Sequence, residues 1–317
     1  MLLCFHIVGC ADMQMCRCAD EFDVIILNLA YRLMIFMKIH LKLGFGVLLL
    51  AIILIATSFK PREIAWTAIG DSITYLNDHL NETDNRLTKG YLTDVVEQLP
   101  NFHYINQGHN GWPATGVAKA IDSLGIQKSD VYTIFLGTND WWYGEPLGTL
   151  DDYSGNTGYK TIFGAFRVII NKVRSLNPDA KIILMTPLQR GDFVYVGDSH
   201  NNAWGSDKPR NKLMLSQVAD AVKAIGVYEH LPVVDLYYNS GITVANMVKF
   251  KMLKDPNTRQ YKHYKFPAYE HIFFNPDSDK YPYPLAAMDN SFDGLHPSDK
   301  GCKVIAGMLV GAFKKME

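Results

Sequence analysis

Ser72 lies in Ala68-Ile69-Gly70-Asp71-Ser72-Ile73-Thr74, directly after an apolar run that ends at Gly70. A serine hydroxyl is a weak nucleophile. It needs a base, a group that orients the base, and donors for the negative charge that develops on a carbonyl oxygen. The chain holds a candidate for each. Asp293-Gly294-Leu295-His296 places a carboxylate three residues before an imidazole. That spacing can set Asp293 on one ring nitrogen of His296 and leave the other for the Ser72 proton. Gly108 closes Asn106-Gln107-Gly108, where a missing side chain lets the backbone approach a substrate and offer its N–H. Asn139, in Gly137-Thr138-Asn139-Asp140, carries an amide able to donate to an oxyanion from the side. Singly, each fragment also has an ordinary reading as a turn or a surface loop. Together they describe acyl transfer.

The elements that must position these groups alternate in type. Apolar runs at 63–69, 102–107, 130–136, 181–186 and 232–236 read as short buried strands. Helical spacing covers 90–99, 116–124, 159–176, 212–225 and 300–315, and Pro100 and Asn177-Pro178 supply stops. Strands alternating with helices at this spacing predict a parallel sheet covered on both faces. Each candidate group then falls after a strand, at the edge where open α/β sheets place their sites. The surplus of chain lies in a loop at 188–210 and a segment at 241–290.

Composition narrows the classes. With 48% hydrophobic residues, 20% charged and a net charge of −1 over 317 residues, the chain is an ordinary globular one with no electrostatic pull toward nucleic acid. Four of the five cysteines, Cys4, Cys10, Cys16 and Cys18, precede residue 19, so the body, with Cys302 alone, has no disulfide framework. Met37-Lys38-Ile39-His40-Leu41-Lys42, the apolar run 43–56 and Thr57-Ser58 describe a secretory signal peptide over 37–58. Residues 1–36 are then expected to be a mis-assigned start or an extension. The body at 59–317 is expected to be secreted or periplasmic, with no stable membrane partner after cleavage.

Gly70-Asp71-Ser72, Gly108, Gly137-x-Asn139-Asp140 and Asp293-x-x-His296, in this order, resemble the four blocks of the SGNH (GDSL-type) esterases and lipases. The resemblance spans about 64 to 315, with Ile73 where many members have leucine. It implies a three-layer α/β/α sandwich with a flavodoxin-like, mainly five-stranded parallel sheet. It also implies Ser72 as nucleophile, His296 as base, Asp293 as orienter, and an oxyanion hole of the Ser72 N–H, the Gly108 N–H and the Asn139 side chain, with no metal or cofactor.

His109, Trp141 and Trp142 are expected to line the substrate site, the two indoles as a platform for sugar rings or acyl groups. The aromatic, polar segment at 241–290 is expected to form a wall or lid over the cleft. The basic residues from Lys249 to Lys265 read as a solvated face. An exported enzyme with such rings is expected to act on a small-molecule or oligosaccharide ester, removing a short acyl group, acetyl foremost, from carbohydrate. The alternatives are a lipase, lysophospholipase or thioesterase of the same family, and a carbohydrate-binding protein without catalysis.

Overall fold

A computed structural model of the protein describes residues 27–48 and 61–316. The chain divides into two units, 1–62 and 63–317. In the first, residues 27–48 form a helix, α1. Among the described residues no helix is long and apolar enough to cross a membrane. The expected signal peptide falls partly in α1, and its remainder at 49–58 lies outside the described residues, as do the four early cysteines.

In the second unit, β1 (Ile64–Gly70), β2 (Phe102–Gly108), β3 (Val131–Phe135), β4 (Lys181–Met185) and β7 (Val233–Val234) form one parallel sheet in the order β2-β1-β3-β4-β7. These are the five strands expected from the apolar runs. Alternation along β3 shows why they stay in the middle layer. Val131 and Phe135 face one side with Trp66 and Ala68, and Tyr132 and Ile134 face the other with Ile69. The first side is covered by α3 (Tyr91–Gln98) and α10 (Asp299–Lys314), through Tyr91, Leu92, Val95, Ile305, Leu309 and Phe313. The second is covered by α4 (Ala114–Ala120), α5 (Thr138–Tyr143), α6 (Leu150–Ser154), α7 (Ile162–Leu176) and α8 (Leu215–Glu229). Helices α7 and α8 each bury a continuous apolar stripe, Phe163-Phe166-Ile170-Val173 and Leu215-Val218-Val222-Ile225. The result is the three-layer α/β/α sandwich, with short α2 (Ser72–Tyr75) and α9 (Leu236–Asn239) directly after β1 and β7.

The two surplus stretches build small accessory sheets. Within 188–210, β5 (Phe193–Val194) pairs antiparallel with β6 (Asn202–Ala203). Within 241–290, β8 (Lys251–Lys254) pairs with β9 (Tyr261–Tyr264). The 241–290 segment braces the first hairpin. Tyr283 donates from its hydroxyl to the Asp192 carbonyl, and the Tyr281 hydroxyl donates to the Val194 carbonyl at 2.9 Å. Val194, Val248, Leu253, Tyr269 and Tyr283 close a third apolar cluster between them. The basic residues expected on a solvated face are instead partly committed to ion pairs. Lys251 meets Asp192 at 2.8 Å, Lys254 meets Asp279 at 2.6 Å, and Lys262 meets Asp255 at 2.7 Å.

Candidate active site

Strand β1 delivers Ser72 to the carboxyl edge of the sheet, and local hydrogen bonds hold it there. Asp71 caps α2 by accepting from the Ile73 N–H at 3.0 Å. Burial pushes the Asp71 carboxyl up to about 6, against the opposing pull of that N–H and of His296. On the far side of the cleft, the turn before α10 presents the base. Asp293 Oδ1 accepts the backbone N–H groups of Leu295 at 3.0 Å and His296 at 2.8 Å. Ser291 Oγ in turn accepts the N–H groups of Asp293 and Gly294. Asp293 is fully buried and its Oδ2 lies 2.7 Å from His296 Nδ1. A carboxylate on Nδ1 fixes the proton there, so Nε2 accepts from the Ser72 hydroxyl at 2.9 Å. Phe292 stacks on the imidazole at 5.7 Å and Phe193 meets it edge-on at 5.4 Å, which limits its rotation. The structure thus brings Ser72, His296 and Asp293 into one hydrogen-bonded line.

Ser72 and His296 open into a cleft of about 290 Å³, which Asn139, Asn110, Gly111, Trp142, Tyr143 and Arg190 also line, while Asp293 stays fully buried. Asn139 projects from the first turn of α5, and its Nδ2 donates to the Trp112 carbonyl at 3.2 Å. That bond uses one amide hydrogen and leaves the other for the cleft. Asp140, next in sequence, accepts the N–H groups of Ala114 at 2.7 Å and Thr115 at 3.1 Å, tying α5 to the start of α4. Burial pushes its carboxyl, too, up to about 6.

Gly108 is a correction to the expected oxyanion hole. Its N–H turns back to donate to Asn106 Oδ1 at 2.9 Å, and a Cβ on it would meet the Tyr75 backbone nitrogen at 2.2 Å. Its missing side chain serves the packing of β2 on α2, and it does not line the cleft. Gly111, three residues on, does line it, with a φ of +76° that favours glycine. Among the described residues its N–H donates to no protein group. The signal was a second glycine in Gly108-His109-Asn110-Gly111, past the strand end and before α4.

Residues 68–304 match the family described as GDSL-like Lipase/Acylhydrolase. The chain belongs to this family. A protein from Chitinophaga pinensis, described as a possible lipase, is 57% identical, with a TM-score of 0.79 over 80% of this chain and 99% of that one. A Lactobacillus plantarum protein shares the fold at 20% identity and a TM-score of 0.55, over 81% of this chain and 99% of that one. No curated protein matches the chain. This GDSL-like acylhydrolase is therefore an ester hydrolase, with Gly70-Asp71-Ser72-Ile73 as its motif.

The expected substrate-lining residues divide. Trp142 lines the cleft, but Trp141 does not: it is 0% exposed and its Nε1 donates to the Leu213 carbonyl at 2.9 Å. Successive residues of α5 point about 100° apart, so one indole enters the core and the other stays at the edge. His109 also lies outside the lining. It is half-buried, its ring sits 5.0 Å from Trp112, and burial lowers its affinity for a proton. The 241–290 segment, expected as a wall or lid, contributes nothing to the lining. Phe193, Tyr195, Asn201 and Ala203 of the 188–210 loop form the wall, and the 241–290 segment supports that wall from behind.

Arg190 is the functional candidate that sequence reasoning missed. It is 2% exposed, lines the cleft, and sits over the rings of Trp141, Trp142 and Phe193 at 5.3–5.7 Å. Burial pulls its guanidinium down to about 10, with Asp293 and Asp192 opposing from a distance. It stays charged at neutral pH. Among the described residues, no group of three His, Cys, Asp or Glu side chains is placed to hold a metal ion.

Proposed function

We propose that this acylhydrolase is an exported serine esterase that removes short acyl groups, acetyl foremost, from carbohydrate hydroxyls. One observation carries the mechanism: Ser72 Oγ, His296 Nε2, His296 Nδ1 and Asp293 Oδ2 are joined by bonds of 2.9 and 2.7 Å at the edge of the cleft. Ser72 Oγ attacks the ester carbonyl carbon as His296 Nε2 takes the hydroxyl proton, and Asp293 steadies the imidazolium. The tetrahedral oxyanion accepts hydrogen bonds from the N–H groups of Ser72 and Gly111 and from Asn139 Nδ2. The C–O bond to the alcohol then breaks, and the leaving oxygen takes the proton from His296. Water, deprotonated by His296, attacks the acyl-Ser72 carbonyl and releases the carboxylic acid with Ser72 restored.

The size and polarity of the cleft support a short acyl group. About 290 Å³ lined by three asparagines, two tyrosines and an arginine offers no long apolar groove. The basic, apolar and small-residue order of 37–58 supports export. The test is an acyl-length series from acetate upward, run beside acetylated oligosaccharides with free acetate measured. Activity should peak at acetate and fall with length. Each buried methylene is worth about 0.8 kcal/mol, so activity climbing severalfold per carbon, with no acetate from sugars, would make the protein a lipase-type enzyme. Ser72→Ala should remove turnover by a factor on the order of 10⁴–10⁶, and full activity in that variant would end the serine mechanism.

A further inference from the structure

A buried guanidinium is costly unless its charge and its donors are answered. Arg190 is held tightly, yet among the described residues its side chain has no hydrogen-bond or ion-pair partner. Its backbone is locked to Ser206, whose Oγ accepts the Arg190 N–H at 3.0 Å and whose N–H donates to the Arg190 carbonyl at 2.9 Å. Aromatic rings grip the side chain. Among the described residues, however, no carboxylate forms an ion pair with it and no acceptor lies within hydrogen-bond distance of its nitrogens, while Nε and Nη2 are fully buried. The nearest carboxylates are committed elsewhere: Asp293 to His296, Asp192 to Lys251, and Asp71 to the Ile73 N–H. The side chain opens on the same cleft as Ser72 and Asn139.

We infer that Arg190 is a specificity residue that receives a carboxylate carried by the substrate itself, so that the enzyme acts on acidic esters. Within the esterase reading above, on which this rests, the acidic ester is an acylated acidic sugar such as a uronate. With Nε and Nη2 fully buried, Nη1 is the guanidinium nitrogen left to donate to a carboxylate in the cleft, and such charge-assisted bonds are the strong ones. A single negative charge fits better than a phosphate dianion. Among the described residues Arg190 is the only Lys or Arg in the lining, and the Asp293, Asp192 and Asp71 carboxylates already oppose part of its charge. Trp142 and Tyr143 beside it present ring surface to a sugar.

The experiment compares two matched pairs of esters on the wild-type protein: acetylated methyl glucuronoside against acetylated methyl glucoside, and p-nitrophenyl hemisuccinate against p-nitrophenyl butyrate. The first pair carries the carboxylate on the alcohol side, the second on the acyl side. The acidic member of the sugar pair should be preferred roughly 10- to 100-fold in kcat/KM, the worth of hydrogen bonds to a charged group. A preference confined to the second pair would support the carboxylate subsite and place it on the acyl side. Equal rates in both pairs would overturn the proposal. In Arg190→Gln the acid-over-neutral ratio should fall to about one, and Arg190→Lys, which keeps the charge on a head of different shape and reach, should lie between. An unchanged ratio in Arg190→Gln also overturns it. Should that variant not fold, free glucuronate should still inhibit the wild type competitively where glucose does not, and equal inhibition counts against the subsite. Calorimetric binding of glucuronate to Ser72→Ala separates the two readings, because it needs no turnover. Binding there without esterase activity in the wild type would retire the esterase and keep the carboxylate subsite.

Discussion

Two buried cations, Arg190 and Lys251, lie beside the β5–β6 hairpin, one lining the Ser72 cleft and the other a second pocket, and the protein treats them differently. Lys251 rests over Tyr269 and Tyr283 and is paired with Asp192 at 2.8 Å. Arg190 rests over three rings and, among the described residues, has no ion-pair or hydrogen-bond partner for its side chain. The Lys251 ammonium holds the Asp192 carboxyl below its ordinary range even against burial, so that charge is answered within the fold. The two sites share the aromatic bed and differ in the counter-charge. A paired cation belongs to the scaffold; an unpaired one facing the reacting serine belongs to what the scaffold binds.

The comparison can be tested from the strongest effect downward. Lys251→Ala should destabilise the protein by about 3–5 kcal/mol, because it leaves Asp192 as an uncompensated buried charge. Urea unfolding measures it, and a loss below about 1 kcal/mol would put the pair on a par with surface salt bridges. In the cleft the loss should appear in activity instead. Asn139→Ala should reduce kcat by about 10²–10³, the usual effect of removing one oxyanion donor, with KM little changed. Steady-state kinetics on an aryl acetate would show it, and a change confined to KM would assign Asn139 to substrate binding.

Beneath the cleft, Asp140 contributes a pH dependence. Its carboxyl is raised from 3.8 to about 6 in the folded protein, so folding takes up a proton between those values. The stabilisation is complete below about pH 4 and lost as the pH rises through 6. By linkage it amounts to at most about 3 kcal/mol. The stability of Asp140→Asn minus that of the wild type should therefore increase from pH 4 to pH 7. A difference that stays flat or decreases would show that the two backbone N–H groups keep Asp140 ionised throughout. Smallest of all should be Arg190→Met, which removes a buried charge that no described residue pairs with. Its stability should stay within about 1 kcal/mol of wild type or improve, opposite in character to Lys251→Ala. A loss of 3 kcal/mol or more would make Arg190 a structural residue.

Much of this was legible in the sequence because it was written locally. A buried parallel strand is an apolar run whatever surrounds it, so all five strands stood out. Asp293 and His296 are three residues apart and their pairing needs only one turn. What stayed hidden depends on direction in space. Trp141 and Trp142 are equivalent on paper, and only the rotation of α5 sends one into the core. Gly108 and Gly111 differ in that the N–H of the first donates back to Asn106, whereas that of the second, in the cleft lining, donates to no protein group among the described residues. Arg190 lies in a loop with no periodicity, and nothing beside it in sequence announces three rings drawn from α5 and β5. The 241–290 segment looked like a cover because it is aromatic, yet its rings spend their hydroxyls on the backbone of the neighbouring hairpin.

Ser72 and His296 are separated by 224 positions, one just past the first strand and the other just before the last helix. The hydrogen bond between them therefore forms only when α10 has docked and every intervening strand has taken its place. A nascent or truncated chain, however much of the sheet it has built, carries a serine without a base and is inert. Hydrolysis is in effect a checksum on the finished body: regain of activity after dilution from denaturant should lag the return of helical signal and coincide with the burial of Phe313 and Trp66, which α10 brings together at 5.2 Å.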